Sequence, residues 1–394
     1  MATTGKSRIQ SIDLLRGIIM VIMALDHSRD FFHREAFTDD PLNLATTTPI
    51  LYFTRWITHF CAPVFVFLAG TSGWLQSQRK TKKELSSFLV SRGLWLIFID
   101  LVVMSLGVLG DVYFGTFVLQ TIWAIGISMA ILGLVIWLPF NAILILGLII
   151  VFGHNSLDFF EQAHKGPYPM LYYFLHIQSV HPLWANHQLF IVYPFLSWSG
   201  LMMLGYCCGK IFTNFDVDQR NKILLRLGIG LLIFFVLLRA TNWYGNPFPW
   251  TQQKNALYTF FSFMNVHKYP PSLLYMCATI GPALIFLALV KNTQSRFAKI
   301  MIIYGRVPLF YYILHFYLLH LIAIVFFLSR GHSFAEGMKG IPGFPFKFLV
   351  PGEGYPLWVV YAVWLSVVIT LYPACKWYDR YKTSHPEKKW LSYL

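Results

Sequence analysis

Apolar runs of about 20 residues recur along the chain, which is the length that an α-helix needs to cross a bilayer. The first run covers residues 12–32, and the pattern as a whole predicts ten spanning helices. The run at 141–153 is short, and the run at 299–329 contains Pro308, where we expect a break because proline lacks a backbone donor. The expected bounds are 10–32, 50–76, 86–109, 117–138, 141–153, 190–210, 223–242, 271–290, 299–329 and 356–376.

Composition supports a membrane protein. Of 394 residues, 56% are hydrophobic and only 12% are charged, whereas a soluble domain carries about a quarter charged residues. We therefore expect an all-α, polytopic integral membrane protein that forms a single domain over residues 1–394. The start, MATTGKSR, lacks a signal peptide with a cleavage site, so we expect the first run to be retained.

Basic residues are distributed unevenly around the runs. With the N-terminus placed in the cytoplasm, 17 of the 31 lysines and arginines fall in cytoplasmic segments, 8 on the opposite side and six within helices. This bias predicts that both termini lie in the cytoplasm. It also explains the net charge of +14 without a nucleic-acid partner.

Four long segments fall on the predicted outer side, at 33–49, 154–189, 243–270 and 330–355. Long loops in a compact protein are often functional. Their many aromatic residues also fit an interfacial belt, so both interpretations stay open. His176, His181 and His187 could form a metal site in one of these loops, although their spacing is loose and we expect no metal.

Ionisable side chains inside the runs fall into two tiers. Counted from the cytoplasmic helix ends, the lower tier lies within about 10 Å and the upper tier at about 20–27 Å. The lower tier consists of Arg16, Arg92 and Arg306. The upper tier consists of Asp26, His27, His59, Asp100, Arg239 and His315. Such groups are expensive in a membrane and usually face a bundle interior or a water-filled cavity.

The two tiers suit two steps of one reaction. Arginine binds phosphate through a planar charged fork, and histidine can accept a proton near neutral pH. A phosphate-bearing donor entering from the cytoplasm would thus reach the histidines with its reactive end. Structural alternatives remain: Arg16 could pair with Asp13 at i,i+3, and His59 could be a hydrogen-bonded core residue.

Five stretches resemble the bacterial heparan-α-glucosaminide N-acetyltransferase-like family of transmembrane acyltransferases. They are SIDLLRG at 11–17, DHSR at 26–29, RWITHFCAPVFVFLAG at 55–70, KYPPSL at 268–273 and GRVPLFYYILH at 305–315. The resemblance implies transfer of an acetyl group from cytoplasmic acetyl-CoA to a saccharide or another hydroxyl or amine acceptor across the membrane. It also implies a bacterial inner-membrane location, and a homodimer stays open.

The lysosomal member has an asparagine-containing segment where this chain has Asp26-His27, and its proposed catalytic histidine follows in the next loop. His33 is the nearest counterpart here, and the match is loose. The acceptor therefore does not carry over from that enzyme.

We assign His27 as the general base, oriented by Asp26 or Asp100. His59 and His315 would share the acid–base work or polarise the thioester carbonyl. The coenzyme A phosphates would be held by Arg16, Arg306, Arg92 and Arg239. The acceptor would be met by Lys268, Tyr269 and Arg55.

Two other functions use the same residues. In a transporter or permease, they would line a substrate or proton path. In a haem-binding protein, some of the histidines would be iron ligands. Binding of coenzyme A separates the transferase from both alternatives.

Overall fold

The computed structural model describes residues 9–291, 293–388 and 390–391. Lys6, Arg8 and Lys389, which enter the charge bias above, lie outside these residues. The structure is mostly helical. Its helices are α1 Gln10–Phe32, α2 Pro49–Trp56, α3 Cys61–Ser77, α4 Lys82–Phe98, α5 Ser105–Leu109, α6 Thr121–Val135, α7 Phe140–Gly153, α8 Ser156–Ala163, α9 Met170–Leu175, α10 Leu196–Gly209, α11 Ile211–Asn214, α12 Val217–Thr241, α13 Ala256–Met264, α14 Leu273–Leu289, α15 Arg296–Arg306, α16 Pro308–Ser329, α17 Phe334–Lys339 and α18 Leu357–Ser384.

Five helical segments among the described residues are long and apolar enough to span a membrane. They are Pro49–Ser77, Lys82–Leu109, Val217–Thr241, Pro308–Ser329 and Leu357–Ser384. A sixth arises if α7 and α8, which meet at 42°, form one broken span. Each of the ten predicted segments contains a helix, but α6 and α14 are shorter than a full span. The structure thus supports five or six spans, and neither the number ten nor the orientation is confirmed.

The prediction of an all-α fold misses a small sheet. Its strands are β1 Thr116–Leu119, β2 Ser179–Pro182 and β3 Gln188–Ile191, in the order β1-β3-β2. β1 runs parallel to β3, with Thr116 opposite Gln188, and β2 runs antiparallel to it. Residues 117–119 and 190–191 were therefore wrongly predicted as helix. Apolar β-branched and aromatic residues fit a strand as well as a helix when the run is short.

The break predicted at Pro308 is confirmed, since α15 ends at Arg306 and α16 begins at Pro308. A second proline shapes the span Pro49–Ser77. Pro63 has no N–H to donate to the carbonyl of His59, four residues earlier. The Tyr275 hydroxyl donates to that carbonyl instead, at 2.7 Å. The chain forms a short 3₁₀ segment, Ile57–Phe60, at this point.

Glycines bring two helix pairs into backbone contact. A Cβ on Gly17 of α1 would overlap the Met301 carbonyl of α15, and one on Gly305 of α15 would overlap the Asp13 carbonyl of α1. α3 and α10 meet in the same way at Gly70 and its neighbours. Small residues that allow close approach are the usual basis of helix packing in membranes. The α1–α15 contact fixes the relative position of the arginines that these two helices carry.

Candidate functional site

A cavity of about 780 Å³ lies among α1, α3, α4, α6 and the α15–α16 junction. This volume is within the range of small-molecule sites, about 300–1,000 Å³. Its lining combines cationic side chains with apolar walls, and we call the part that the cationic side chains line the basic end. We refer to it below as the internal cavity.

Five cationic side chains and one anionic side chain line the internal cavity: Arg16, Arg79, Arg92, Arg306, Lys382 and Asp13. Arg16 is held at its place by hydrogen bonds from its guanidinium to the Ser72 hydroxyl at 3.1 Å and the Gly305 carbonyl at 3.3 Å. It also pairs with Asp13 at 3.4 Å, as the sequence alternative proposed. Arg306 pairs with Asp379 of α18 at 3.1 Å. The excess of positive charge makes this end suited to a polyanion.

The walls of the internal cavity are largely apolar, with Met20, Met23 and Leu96 among the lining side chains. Tyr312 also lines it, and the Tyr312 ring centroid lies 6.1 Å from that of His27. Met23 precedes His27 by one helical turn on α1, so the two residues share a face of that helix. Along α1, the internal cavity therefore extends from Arg16 to Met23, which is within one turn of His27.

His27 of α1 and His315 of α16 form a direct pair. The His27 Nδ1 atom lies 2.7 Å from the His315 Nε2 atom. The other nitrogen of His315, Nδ1, lies 3.1 Å from the Tyr311 carbonyl oxygen. His315 is completely buried, whereas His27 is half-buried. The structure thus brings together two of the histidines that the sequence predicted to share the acid–base work.

Asp26 belongs to a neighbouring ion network rather than to His27. Its carboxylate accepts from Arg29 at 3.2 Å and from Arg55 at 3.1 Å. Arg29 also donates to Asp30 at 2.6 Å. In the part of the chain that the structure describes, the hydrogen-bond partner of the His27 ring is His315. The predicted orienting role of Asp26 therefore finds no contact to support it.

Lys268 and Tyr269, predicted to meet the acceptor, lie in the same electrostatic neighbourhood as Arg55 and Asp26. The Lys268 ammonium is 5.0 Å from the centre of the Tyr269 ring. Burial alone raises the pKa of the Tyr269 hydroxyl, but the cations Lys268 and Arg55 outweigh burial and lower that pKa below its ordinary value. The three predicted acceptor-binding residues are thus brought together beside the histidine pair.

Asp100 has a structural partner instead of His27. The helix carrying it forms a π-helical segment, Ile99–Met104, a form that is rare and occurs mostly as short insertions in α-helices. The Asp100 carboxylate accepts from the Gln120 backbone N–H at 2.8 Å, directly before α6. It thus satisfies an unpaired donor at a helix N-terminus, where negative charge is favoured. The prediction that Asp100 orients His27 is not supported.

Arg239 does not line the internal cavity. Its guanidinium is buried and donates to four backbone carbonyls, those of Phe248, Ser262, Phe263 and Asn265, at 2.8–3.0 Å. These bonds tie α12 to the segment around α13, and we correct the predicted coenzyme A role of Arg239 to a structural one. His59 is also buried, packed against Tyr275 with ring centroids 5.3 Å apart, and it makes no described contact with His27.

The three loop histidines that could have formed a metal site do not form a ligand group with one another among the described residues. The His181 ring contacts the Ser179 hydroxyl, and the His187 ring contacts the Trp184 carbonyl. His176 instead joins a different group of potential ligands, with all ligand atoms within 4.8 Å of one another: Asp158, Glu161 and His176. Both ring nitrogens of His176 are engaged, one by Glu161 at 2.7 Å and the other by His154 at 3.1 Å. A buried polar network accounts for this group.

The sequence analysis did not identify Arg79, Lys382 and Tyr312 as residues of the site, although all three line the internal cavity. Arg79 and Lys382 belong to basic segments at helix ends that looked only like an orientation signal, and Tyr312 looked like one more aromatic of an apolar run. The spacing of Tyr312 and His315, one turn apart on a single helix, was the available signal. His33, the loose counterpart of the family histidine, is buried at the end of α1. Burial lowers its pKa.

The fold and the site define a membrane protein with a positively charged internal cavity that ends near a histidine pair. The chain belongs to the family described as heparan-alpha-glucosaminide N-acetyltransferase, catalytic, which it matches over residues 8–245. That region contains Arg16, His27 and Arg55, while Arg306 and His315 come from the part beyond it. No curated protein matches the chain. Family membership supports a transmembrane acetyltransferase.

Proposed function

We propose that the protein transfers the acetyl group of acetyl-CoA to an amine or hydroxyl acceptor, with the donor bound in the internal cavity. The observation that carries this proposal is the lining of that cavity, which combines cations with apolar walls and, along α1, reaches from Arg16 to Met23, one turn before His27. Coenzyme A has the same order of parts: a nucleotide with phosphates, a flexible pantetheine arm and a terminal thioester.

The phosphates lie among the cations of the basic end in this proposal. Arg16 and Arg306 offer planar forks for them, and Arg79, Arg92 and Lys382 add positive charge. The pantetheine arm follows the apolar walls. Along α1, the step from Arg16 to His27 covers 11 residues, which is about 16 Å.

His27 acts as the general base. The acceptor nitrogen or oxygen attacks the acetyl carbon, the new bond forms, and the thioester C–S bond breaks with its electron pair leaving on sulfur. The proton of the acceptor passes to His27 and then to the thiolate, so free coenzyme A leaves as the thiol. Proton transfer of this kind contributes about 10²–10⁴-fold to a rate.

The acceptor approaches from the side of Arg55, Lys268 and Tyr269 in this account. Arg55 and Lys268 interact with Asp26, and Tyr269 interacts with Arg55, so the hydrogen-bond donors of these residues can orient a hydroxylated acceptor beside the histidine pair. We place the basic end at the cytoplasmic face, as the bias of basic residues predicts. The donor and the acceptor then meet from opposite sides of the membrane.

Sided proteoliposomes test the proposal. Acetyl-CoA with a radiolabelled acetyl group is enclosed on the side of the basic end, and glucosamine, the sugar amine in the family name, is the acceptor probe on the other side. We expect labelled product with the wild type and none with His27→Ala. The His320→Ala variant, which also loses a buried histidine from the bundle, is the control and should stay active.

Calorimetry on the purified protein supplies the second arm of this test. We expect saturable binding of acetyl-CoA by the wild type and by His27→Ala, because the base lies beyond the donor's phosphates. An absence of acetyl-CoA binding, together with movement of a solute that consumes no donor, would replace the transferase with a transporter.

A further inference from the structure

We infer that His315 is a positioning residue that holds His27 in the one neutral tautomer able to act as a base toward the acceptor. This inference rests on the proposed function and adds the element that makes His27 competent. The chain of contacts runs from the Tyr311 carbonyl through His315 to His27.

The two imidazole rings meet edge to edge. Their centroids are 5.0 Å apart and their planes differ by 20°, while the nearest nitrogens are only 2.7 Å apart. Nearly coplanar rings that are closest at two nitrogens form an in-plane hydrogen bond, the geometry in which N–H donates best.

The hydrogen bond between His315 and the Tyr311 carbonyl determines the tautomers of both histidines. A backbone carbonyl can only accept, so the Nδ1 atom of His315 must carry a hydrogen that it donates to Tyr311. In neutral His315, the Nε2 atom then holds the lone pair, and it can only accept. The Nδ1 atom of His27 must therefore carry the hydrogen between the rings. The Nε2 atom of His27 is left with its lone pair, ready to take a proton.

The two histidines differ in exposure, and this difference assigns them different roles. His315 is fully buried among Tyr311, Tyr312 and Phe316 and cannot touch an acceptor, whereas His27 retains exposed surface. The Phe316 ring lies 4.1 Å from the His27 ring by centroid and restrains its rotation. We thus assign the proton transfer to His27 alone and the choice of tautomer to His315.

This arrangement takes the place of the carboxylate that orients a catalytic histidine in a Ser-His-Asp triad. The nearest carboxylate, Asp26, is already committed to Arg29 and Arg55. A neutral imidazole whose far nitrogen is hydrogen-bonded to a carbonyl fixes the same tautomer without adding a third carboxylate beside Asp26 and Asp30. Once His27 is protonated, the hydrogen bond to His315 also stabilises the cation.

The test compares two substitutions of His315 with one matched control. His315→Phe keeps an aromatic ring of similar shape but removes the acceptor. His315→Gln places an amide oxygen, which is an acceptor, near the position of Nε2. His320→Phe on the same helix is the control, because His320 bonds to the Val108 carbonyl at 3.2 Å and makes no described contact with His27.

Nitrogen-15 NMR of the protein with labelled histidines, in lipid nanodiscs, reads the tautomer without any acceptor. The His27 signal is identified by its loss in His27→Ala. We expect Nδ1 of His27 to be protonated in the wild type and in His315→Gln, and the two tautomers to mix in His315→Phe. A wild-type His27 protonated at Nε2 would overturn the inference.

Release of free coenzyme A, measured with glucosamine as acceptor probe, supplies the kinetic readout. We expect kcat to fall by about 10²-fold in His315→Phe, to recover largely in His315→Gln and to stay unchanged in His320→Phe, with one KM for acetyl-CoA throughout. A wild-type kcat in His315→Phe would refute the positioning role while leaving the transferase intact. A wild-type kcat in His27→Ala would instead refute the base assignment in the proposed function.

Discussion

Replacing Arg16 by alanine tests the phosphate role of the basic end. In the structure, the Arg16 side chain is 14% exposed, and its guanidinium donates to the Ser72 hydroxyl and the Gly305 carbonyl. A hydrogen bond from a charged donor contributes about 1.5–3 kcal/mol. At about 1.4 kcal/mol for each tenfold change, the Arg16→Ala variant should bind acetyl-CoA about 10- to 150-fold more weakly.

The pairing of Arg16 with Asp13 places the effect in the upper part of that range. Without Arg16, the carboxylate of Asp13, which also lines the internal cavity, loses one compensating charge and repels phosphate more strongly. A double variant, Arg16→Ala with Asp13→Asn, should therefore recover part of the lost affinity. Two residues in direct contact are expected to be non-additive in this way.

Titration calorimetry with two donors separates a phosphate contact from damage to the fold. Acetyl-CoA carries the phosphates, and S-acetylpantetheine has the same arm and thioester without them. We expect Arg16→Ala to lose affinity for the first and not for the second. Arg226→Ala, an exposed arginine on α12, should change neither. Equal losses for both donors, or unchanged binding of acetyl-CoA, would show that Arg16 does not bind phosphate.

Two further substitutions address stability, each followed by thermal unfolding in one detergent. Arg239→Ala removes four hydrogen bonds from a buried guanidinium to backbone carbonyls and should destabilise by about 3 kcal/mol or more with no change in acetyl-CoA affinity; weaker binding at unchanged stability would restore its predicted coenzyme A role. Gly305→Ala forces a methyl group against the Asp13 carbonyl and should destabilise by about 1–3 kcal/mol. Gly230→Ala, with nothing within 4 Å of the added Cβ, should be neutral or stabilising, and an equal loss there would contradict the packing argument.

The sequence predicted the depth of ionisable residues along the helices well. It predicted much less well which neighbouring helix each of these side chains faces. Counting residues from helix ends sorted Arg16, Arg92 and Arg306 into one tier, and these three do line one cavity. The same count placed Arg239 and Asp100 in the upper tier, where each proves to serve backbone groups. Height follows from a fixed rise per residue, but the partner of a side chain depends on which neighbouring helix its face meets.

The histidines also show that height along a helix does not determine the partner of a side chain. His59 and His315 come out at similar heights, yet only His315 meets His27. The His59 ring packs against Tyr275 instead, and the Tyr275 hydroxyl bonds to the His59 carbonyl. The missed strands, 116–119 among them, have a different cause, because a short apolar run pairs with a distant strand that no local pattern reveals.

A cryo-electron microscopy structure with a thioether analogue of acetyl-CoA, in which no acyl transfer can occur, tests the central claim most directly. The account predicts density for the analogue in the internal cavity, with its phosphates against Arg16, Arg79 and Arg306 and its acyl group beside His27. An analogue bound in the opposite orientation, with its acyl group at the basic end, would contradict the account. An analogue bound outside the internal cavity would contradict it as well.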